Sequence, residues 1–188
     1  MQHHYKEAIS AKIFQYISKA SKELQLESYV IGGFVRDYIL QRGTAKDIDI
    51  VAIGSGIELA KKVANLLPNK PKVQVFKTYG TAMLRYKEVE IEFVGARKES
   101  YTEESRNPKV TAGTLKDDQN RRDFTINALA ISLNDENFGE LLDPFNGIQD
   151  FTAAKIIQYS QVIRERINEK YPNKFIHPEN ENIKDVSH

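Results

Sequence analysis

Apolar residues recur at Ile9, Ile13, Phe14, Ile17, Ala20 and Leu24, close to a 3.6-residue period, so the spacing predicts an amphipathic helix from Lys6 to Leu26. Tyr29-Val30-Ile31 is a short apolar run that ends at Gly32-Gly33. Phe34, Val35, Tyr38, Ile39 and Leu40 then resume helical spacing up to Arg42-Gly43, which reads as strand, tight turn, helix. Asp47-Ile48-Asp49-Ile50-Val51 alternates acidic and apolar residues, the period-two pattern of a half-buried strand. Gly54-Ser55-Gly56 ends it, and residues 57 to 67 read as a helix stopped by Pro68. Three further strands are predicted at Val73 to Phe76, Thr81 to Tyr86 and Val89 to Val94. In the last of these, Val89, Ile91 and Phe93 face one way and Glu88, Glu90 and Glu92 the other.

Residues 97 to 120 are polar, carry Pro108 and Gly113 and show no period, so a long surface loop is expected there. A helix is expected from about Asp123 to Ile131, followed by a hairpin-like segment with the turn DPFNG at 143 to 147 and a strand at Lys155 to Ile157. Asp143 reads as the first residue of an Asp-Pro turn rather than as a catalytic acid. Residues 161 to 170 suit one more helix, and the polar, Pro/Asn-rich remainder reads as a poorly ordered tail.

Composition narrows the chemistry. The chain has 188 residues, 27 Lys+Arg against 26 Asp+Glu, 4 His and no Cys. Without cysteine there are no disulfides, thiolate nucleophiles or cysteine-ligated metals. The histidines are His3, His4, His177 and His188, all near the ends, so a site in the body of the chain has no imidazole to use. Serine–histidine triads and histidine-ligated metals lose most of their prior, leaving carboxylate, Arg/Lys, hydroxyl and backbone chemistry. A formal net charge of +1 argues against a wholly basic nucleic-acid coat while allowing a local basic surface. No run approaches the ~18 apolar residues of a membrane span, so a cytoplasmic protein without membrane contact is expected.

The informative stretch is IGGFVRD at 31 to 37 followed by DIDI at 47 to 50. A glycine pair between strand and helix lets backbone approach a ligand closely, and the helix start behind it offers N–H groups to a phosphate. Arg36, about one turn in, adds a charge-assisted contact. Asp47 and Asp49 project from one strand face with Cα atoms roughly 6.5 Å apart. With a third carboxylate, for which Glu90 and Glu92 are the candidates, they suit two divalent ions about 3.5–4 Å apart. Hard oxygen ligands beside a triphosphate point to Mg²⁺. In RRDFTINALA at 121 to 130, Arg121, Arg122, Asp123 and Asn127 suit a nucleotide, although a capped helix with a basic start explains the same residues.

In this order, IGGFVRD, DIDI, RRDFTINALA and DPFNGIQD resemble the head (catalytic) domain of the class II tRNA nucleotidyltransferases, the CCA-adding enzymes, and of the bacterial poly(A) polymerases. Both belong to the DNA polymerase β-type nucleotidyltransferase superfamily. The resemblance implies an α+β fold, a small mixed sheet flanked by helices, with the nucleotidyltransferase domain over residues 1–160 and a short helix and tail over 161–188. It implies transfer of NMP from CTP or ATP to the 3′ hydroxyl of tRNA or another RNA, with release of pyrophosphate. By matching position, Asp47 and Asp49 would be Mg²⁺ ligands. Gly32, Gly33, Arg36, Asp37 and Arg122 would bind the nucleotide, with Arg121, Asp123 and Asn127 lining the same site. Aligning the family's following arginine with Arg97 selects Glu92 over Glu90 as third catalytic carboxylate. The family's neck carries an EDxxR-type motif that chooses between CTP and ATP. Glu165 and Arg166 do not reproduce it, so neck, body and tail domains are expected to be absent. The competing expectation is a head domain that binds nucleotide or RNA without transfer.

Overall fold

The alternation at 47–51 becomes the middle strand of a mixed sheet. The computed structural model describes residues 5–43, 47–102 and 105–151 together with Gln161, Ile163, Glu165 and Arg166, and the chain divides into two compact units, Met1–Gln149 and Asp150–His188. In the second unit those four residues are helical. The expected strand at 155–157, most of the expected helix over 161–170 and the expected tail lie outside the described residues.

The first unit runs α1 (Lys12–Glu23), β1 (Ser28–Ile31), α2 (Gly33–Ile39), β2 (Asp47–Ala52) and α3 (Gly56–Leu66). It continues with β3 (Gln74–Phe76), β4 (Thr81–Tyr86), β5 (Val89–Gly95), β6 (Arg97–Thr102) and β7 (Ser105–Ala112). The last elements are α4 (Leu115–Asn120), β8 (Ala130–Ser132) and β9 (Leu141–Leu142). Among the described residues, seven strands form one sheet in the order β3-β4-β5-β2-β1-β8-β9. Every neighbouring pair is antiparallel except β2 and β5.

Each sheet face has its own apolar layer. Ile48, Ile50, Ile91 and Phe93 point to one face with Val30, Ala82 and Leu84, all buried, as the strand registers require. Helix α3 covers β4 and β5 with Leu59, Ala60, Val63 and Ala64, and α1 packs on α3 and β1. On the other face Tyr29, Ile31, Val51, Ala96 and Ala130 form a smaller core, joined by Val94, Leu115 and Leu142.

Local signals explain the ends of α3. Ser55 accepts a hydrogen bond from the Glu58 amide at 3.2 Å as N-cap. Leu67 turns extended at ψ 139°, as a residue before proline must. Gly56 lies so close to β5 that a Cβ there would sit 2.6 Å from the Val94 carbonyl carbon.

Two expectations are overturned. Residues 97–120 are not a loop: β6 and β7 pair as an antiparallel ribbon, and α4 follows with a capping box in which Thr114 and Asp117 satisfy each other's backbone. A two-stranded ribbon needs no buried face, so it carries no hydrophobic alternation to read, and Pro108 is tolerated because each strand has a free edge. Nor is 123–131 a helix. A 3₁₀ turn at Thr125–Asn127 leads into β8, whose residues are buried between β1 and β9, and this sheet pairing overrides the apolar spacing. Asp143 has the expected structural role, accepting hydrogen bonds from the amides of Gly147 at 2.6 Å and Ile148 at 3.0 Å. Among the described residues no helix is long and apolar enough to cross a membrane.

Because the added methyl of Gly56→Ala meets backbone rather than a flexible side chain, this variant should lose about 1–3 kcal/mol of stability or more. Urea unfolding, read as a lower midpoint, measures it.

Candidate active site

Strands β2 and β5 run parallel with Asp47 opposite Glu90 and Asp49 opposite Glu92. All four carboxylates share the face opposite Ile48, Ile50, Ile91 and Phe93. Asp47, Glu90 and Glu92 are exposed, whereas Asp49 is half-buried at the margin of the smaller core. The Asp49 carboxyl is pushed above its ordinary range by burial first and by the Glu92 charge next. The Arg122 charge pulls the other way, and Asp47 and Asp118 add smaller upward pushes. Glu92 is therefore the glutamate that Asp49 feels, while Glu90 sits one rung away across from Arg85.

Antiparallel pairing places Ile31 opposite Asp49, so the glycine after Ile31 lands beside that carboxylate. Gly32 has φ +79°, a region that L side chains rarely adopt. A Cβ there would lie 3.3 Å from Arg122 Nη1, 3.4 Å from Asp49 Oδ2 and 3.9 Å from the Asn127 carbonyl oxygen. The backbone of Gly32, the Asp49 carboxylate and the Arg122 guanidinium thus meet at one point. Gly33 opens α2, whose first turn has no side-chain cap. Arg36 grips its neighbour Asp37 through Nε (2.8 Å) and Nη2 (3.1 Å), and its Nη1 donates to Asn127 Oδ1 at 2.9 Å. Asn127 collects both arginines, because Arg122 Nη1 also reaches its carbonyl at 3.4 Å.

Arg121 and Arg122 do not enter a helix as expected; they follow α4, where cations suit the helix dipole. What holds them is Asp118, fully buried and absent from the sequence-predicted set. Its Oδ1 accepts from Arg121 Nε (2.9 Å) and Nη2 (2.7 Å), and its Oδ2 accepts from Arg122 Nη2 (3.0 Å) and Nε (3.2 Å). Gln119 Nε2 donates to the Ala128 carbonyl at 2.6 Å and fastens α4 to the segment leading into β8. The Thr114-x-x-Asp117 cap, with aspartate and arginines three and four apart behind it, is the signal in the sequence that finds this helix. Asp123 is exposed and takes part in none of these contacts.

The donor set suits a hard cation. Among the described residues no group of three or more His, Cys, Asp or Glu closes around a single ion position. Mg²⁺ is ordinarily held by one or two carboxylates with substrate phosphates and water completing its octahedron. Asp47 and Asp49 on one face, with negative charge crowded at Asp49, fit a cation shared with a bound triphosphate.

Residues 28–157 match the family model of the poly A polymerase head domain. The chain belongs to this family. The head domain is 44% identical over 125 residues to the A-adding tRNA nucleotidyltransferase of Aquifex aeolicus (strain VF5), covering 66% of this chain and 15% of that protein. It is 33% identical over 152 residues to the A-adding tRNA nucleotidyltransferase of Halalkalibacterium halodurans, covering 80% of this chain and 35% of the relative. Among solved structures, an apo CCA-adding enzyme aligns with TM-score 0.70 at 36% identity over 80% of this chain and 37% of that one. A tRNA nucleotidyltransferase complexed with a primer tRNA and an incoming ATP analog aligns with TM-score 0.61 at 41% identity over 71% of this chain and 36% of that one. The mixed sheet with flanking helices is the α+β architecture of these neighbours. The chain spans well under half the length of each of these proteins.

Two expected outcomes follow from the charge arrangement. Asp118→Ala should cost about 2–3 kcal/mol, because two guanidiniums lose a buried partner but keep side-chain exposures of 29% and 17%; thermal melting reads the loss. Asp49→Asn should act in the opposite sense in metal-free protein at neutral pH, raising the melting temperature by roughly 2–4 °C. The folded state holds the Asp49 proton more tightly than the unfolded chain, so its stabilising share is present at low pH and lost as pH rises through the raised value. Equal melting of wild type and Asp49→Asn in chelator would contradict this.

Proposed function

We propose that this head domain transfers NMP from CTP or ATP to the 3′ hydroxyl of tRNA or a similar RNA, releasing pyrophosphate. The observation that carries the reading is the meeting of Gly32, Arg122 and Asp49 on the strand rung shared with Glu92. The relatives support the acceptor, since their names include A-adding, CC-adding and CCA-adding enzymes.

Asp47 and Asp49 would hold Mg²⁺, which when bound supplies Lewis acidity toward the phosphates and lowers the pKa of the acceptor hydroxyl. The chain's own residues do the rest. The open backbone at Gly32 and Gly33 lets the triphosphate approach closely. Arg122 keeps Nη1 directed toward Gly32, where it meets the negative charge that grows on the leaving pyrophosphate. Arg36, tied to Asp37 and Asn127, braces α2 against the turn that carries Asn127. The 3′ oxygen attacks the α-phosphorus as the bond to the β-phosphate bridging oxygen breaks. The Asp49–Glu92 pair accepts the hydroxyl proton, the described part of the chain offering no imidazole.

The test is incorporation of labelled CTP and ATP, with Mg²⁺, into tRNA lacking its 3′ CCA. The chain should incorporate label, and Asp47→Ala with Asp49→Ala should lower the rate by at least a hundredfold while the protein stays folded. Transfer that survives both substitutions sinks the reading. Nucleotide binding without transfer by the unaltered chain would assign the head domain a binding role instead.

A further inference from the structure

On the face of the sheet away from the carboxylates lies a cleft that the transfer reading does not use. It measures about 470 Å³, and Ile13, Phe14, Phe34, Ile48 and Val89 make up its apolar wall. Strand register explains its place. Ile48 stands between Asp47 and Asp49 on β2 and points the other way, as Val89 does beside Glu90 on β5. Phe14 of α1 and Phe34 of α2 meet in the wall with ring centroids 5.4 Å apart. Tyr38, 37% exposed, and Tyr86 bring two more rings to the lining. Tyr86 pairs with Val89 across the β4–β5 turn, where Lys87 Nζ stands 5.6 Å from the Tyr86 ring centroid. Lys12, the first residue of α1, supplies a second exposed ammonium. Among the described residues neither lysine has a carboxylate partner, and neither tyrosine hydroxyl has a hydrogen-bond partner. Glu7, exposed, is the one carboxylate in the lining.

We propose that this cleft binds a small carboxylate with a flat apolar body, the body against Phe14, Phe34 and Ile48 and the carboxylate among Lys12, Lys87 and the two tyrosine hydroxyls. The inference stands apart from the transfer reading, since it needs neither metal nor nucleotide. The volume lies within the roughly 300–1,000 Å³ of sites that take small organic ligands, and apolar and aromatic walls with a few polar groups are the chemistry of such sites. Four rings in one wall favour a flat guest, which meets them edge to face or offset-stacked. Two ammoniums against one carboxylate leave a positive surplus, and four unpaired donors call for an acceptor. Exposed lysines each add little to binding, so affinity comes from the apolar body and discrimination from the charged head. Because Asp47 and Asp49 face the other side of β2, a guest behind Ile48 leaves their face free, and nucleotide and guest bind together.

The probe is naphthalene carboxylate, titrated into the unaltered chain by isothermal titration calorimetry, with the uncharged naphthalene carboxamide as control. One carboxylate should bind per chain with a Kd of about 1 mM or tighter, the affinity ordinary for a ligand of its size. The carboxamide should bind about 3- to 30-fold more weakly, and Lys12→Met with Lys87→Met should weaken the carboxylate by the same factor while leaving the carboxamide within about twofold. Ala11→Trp places an indole on the exposed lining at the start of α1 and should weaken both probes at least about tenfold by taking up their room. Saturating ATP with Mg²⁺ should move the carboxylate's Kd by less than about twofold. No heat of binding from the carboxylate at several millimolar overturns the proposal, as does equal binding of the carboxamide. Binding that ignores either the lysine pair or the tryptophan overturns it too, because the probe would then sit elsewhere. Displacement by ATP places the probe in the nucleotide site and counts against the cleft, whereas loss of nucleotide transfer in the Asp47 and Asp49 variants has no bearing on it.

Discussion

Asp49 and Glu92 occupy one rung of a parallel strand pair, and the repulsion between them beside an apolar layer is the constraint that the surrounding structure answers. A parallel pair cannot be closed by a short turn; it needs a crossover, supplied here by α3, β3 and β4. That crossover lays β4 beside β5 and puts β3 at the edge, so the carboxylate rung ends up inside the sheet with strands on both sides. The countercharge reaches it from the opposite flank. Arg122 is the cation that lowers the cost of Asp49's charge, and it arrives from the end of α4, not from the sheet. Gly32 is then the residue that the remaining space permits, since any side chain would press on both charges.

The geometry of Arg122 depends on Asp118 more than on strength of attraction. A guanidinium has several N–H donors in a rigid plane; two of its nitrogens are committed to Asp118, and the third, Nη1, is aimed at Gly32 and the Asn127 carbonyl. A lysine at 122 would bring the charge without the direction. Asp118 is buried and bears two arginines at once, an arrangement that costs desolvation and returns fixed orientation. Arg36 shows the same division of labour, with two nitrogens on Asp37 and the third on Asn127. Both forks converge on Asn127, which couples α2, α4 and the 3₁₀ turn into one rigid corner at the mouth of β1.

Which of this was legible depended on whether a residue's role shows in periodicity. Asp47, Asp49, Glu90 and Glu92 could be assigned to strand faces because their apolar neighbours alternate with them, and those neighbours are buried. Alternation names a face and not a partner: the preference for Glu92 over Glu90 comes from the family resemblance, and the parallel register adds that Glu92 shares a rung with Asp49 and Glu90 one with Asp47. Helix α4 has six residues, too few to show a period, and its polar composition read as loop; its evidence was confined to the cap at Thr114 and Asp117. The arginine pair stands out in the sequence and its anchor Asp118 does not, for the same reason. Strand β8 reads as helix in the sequence because a segment of three residues buried between two strands has no alternation to display.

Phe76 ends the strand expected at 73–76 and Tyr79 lies three residues on, and nothing in their spacing distinguishes them from core aromatics. Their exposure comes from position alone: β3 is the last strand of the sheet on that side, and α3 covers β4 and β5 from the other face. An edge that ends in aromatic rings, with β3 only three residues long, is also poorly suited to pairing with another strand. Beside Glu92 a cleft opens that is lined by Phe76, Tyr79, Met83, Arg97 and Arg121. The carboxylate rung therefore meets a cleft that runs from Phe76 and Tyr79 to Arg121, while Arg122 closes on Asp49 from the β1 side.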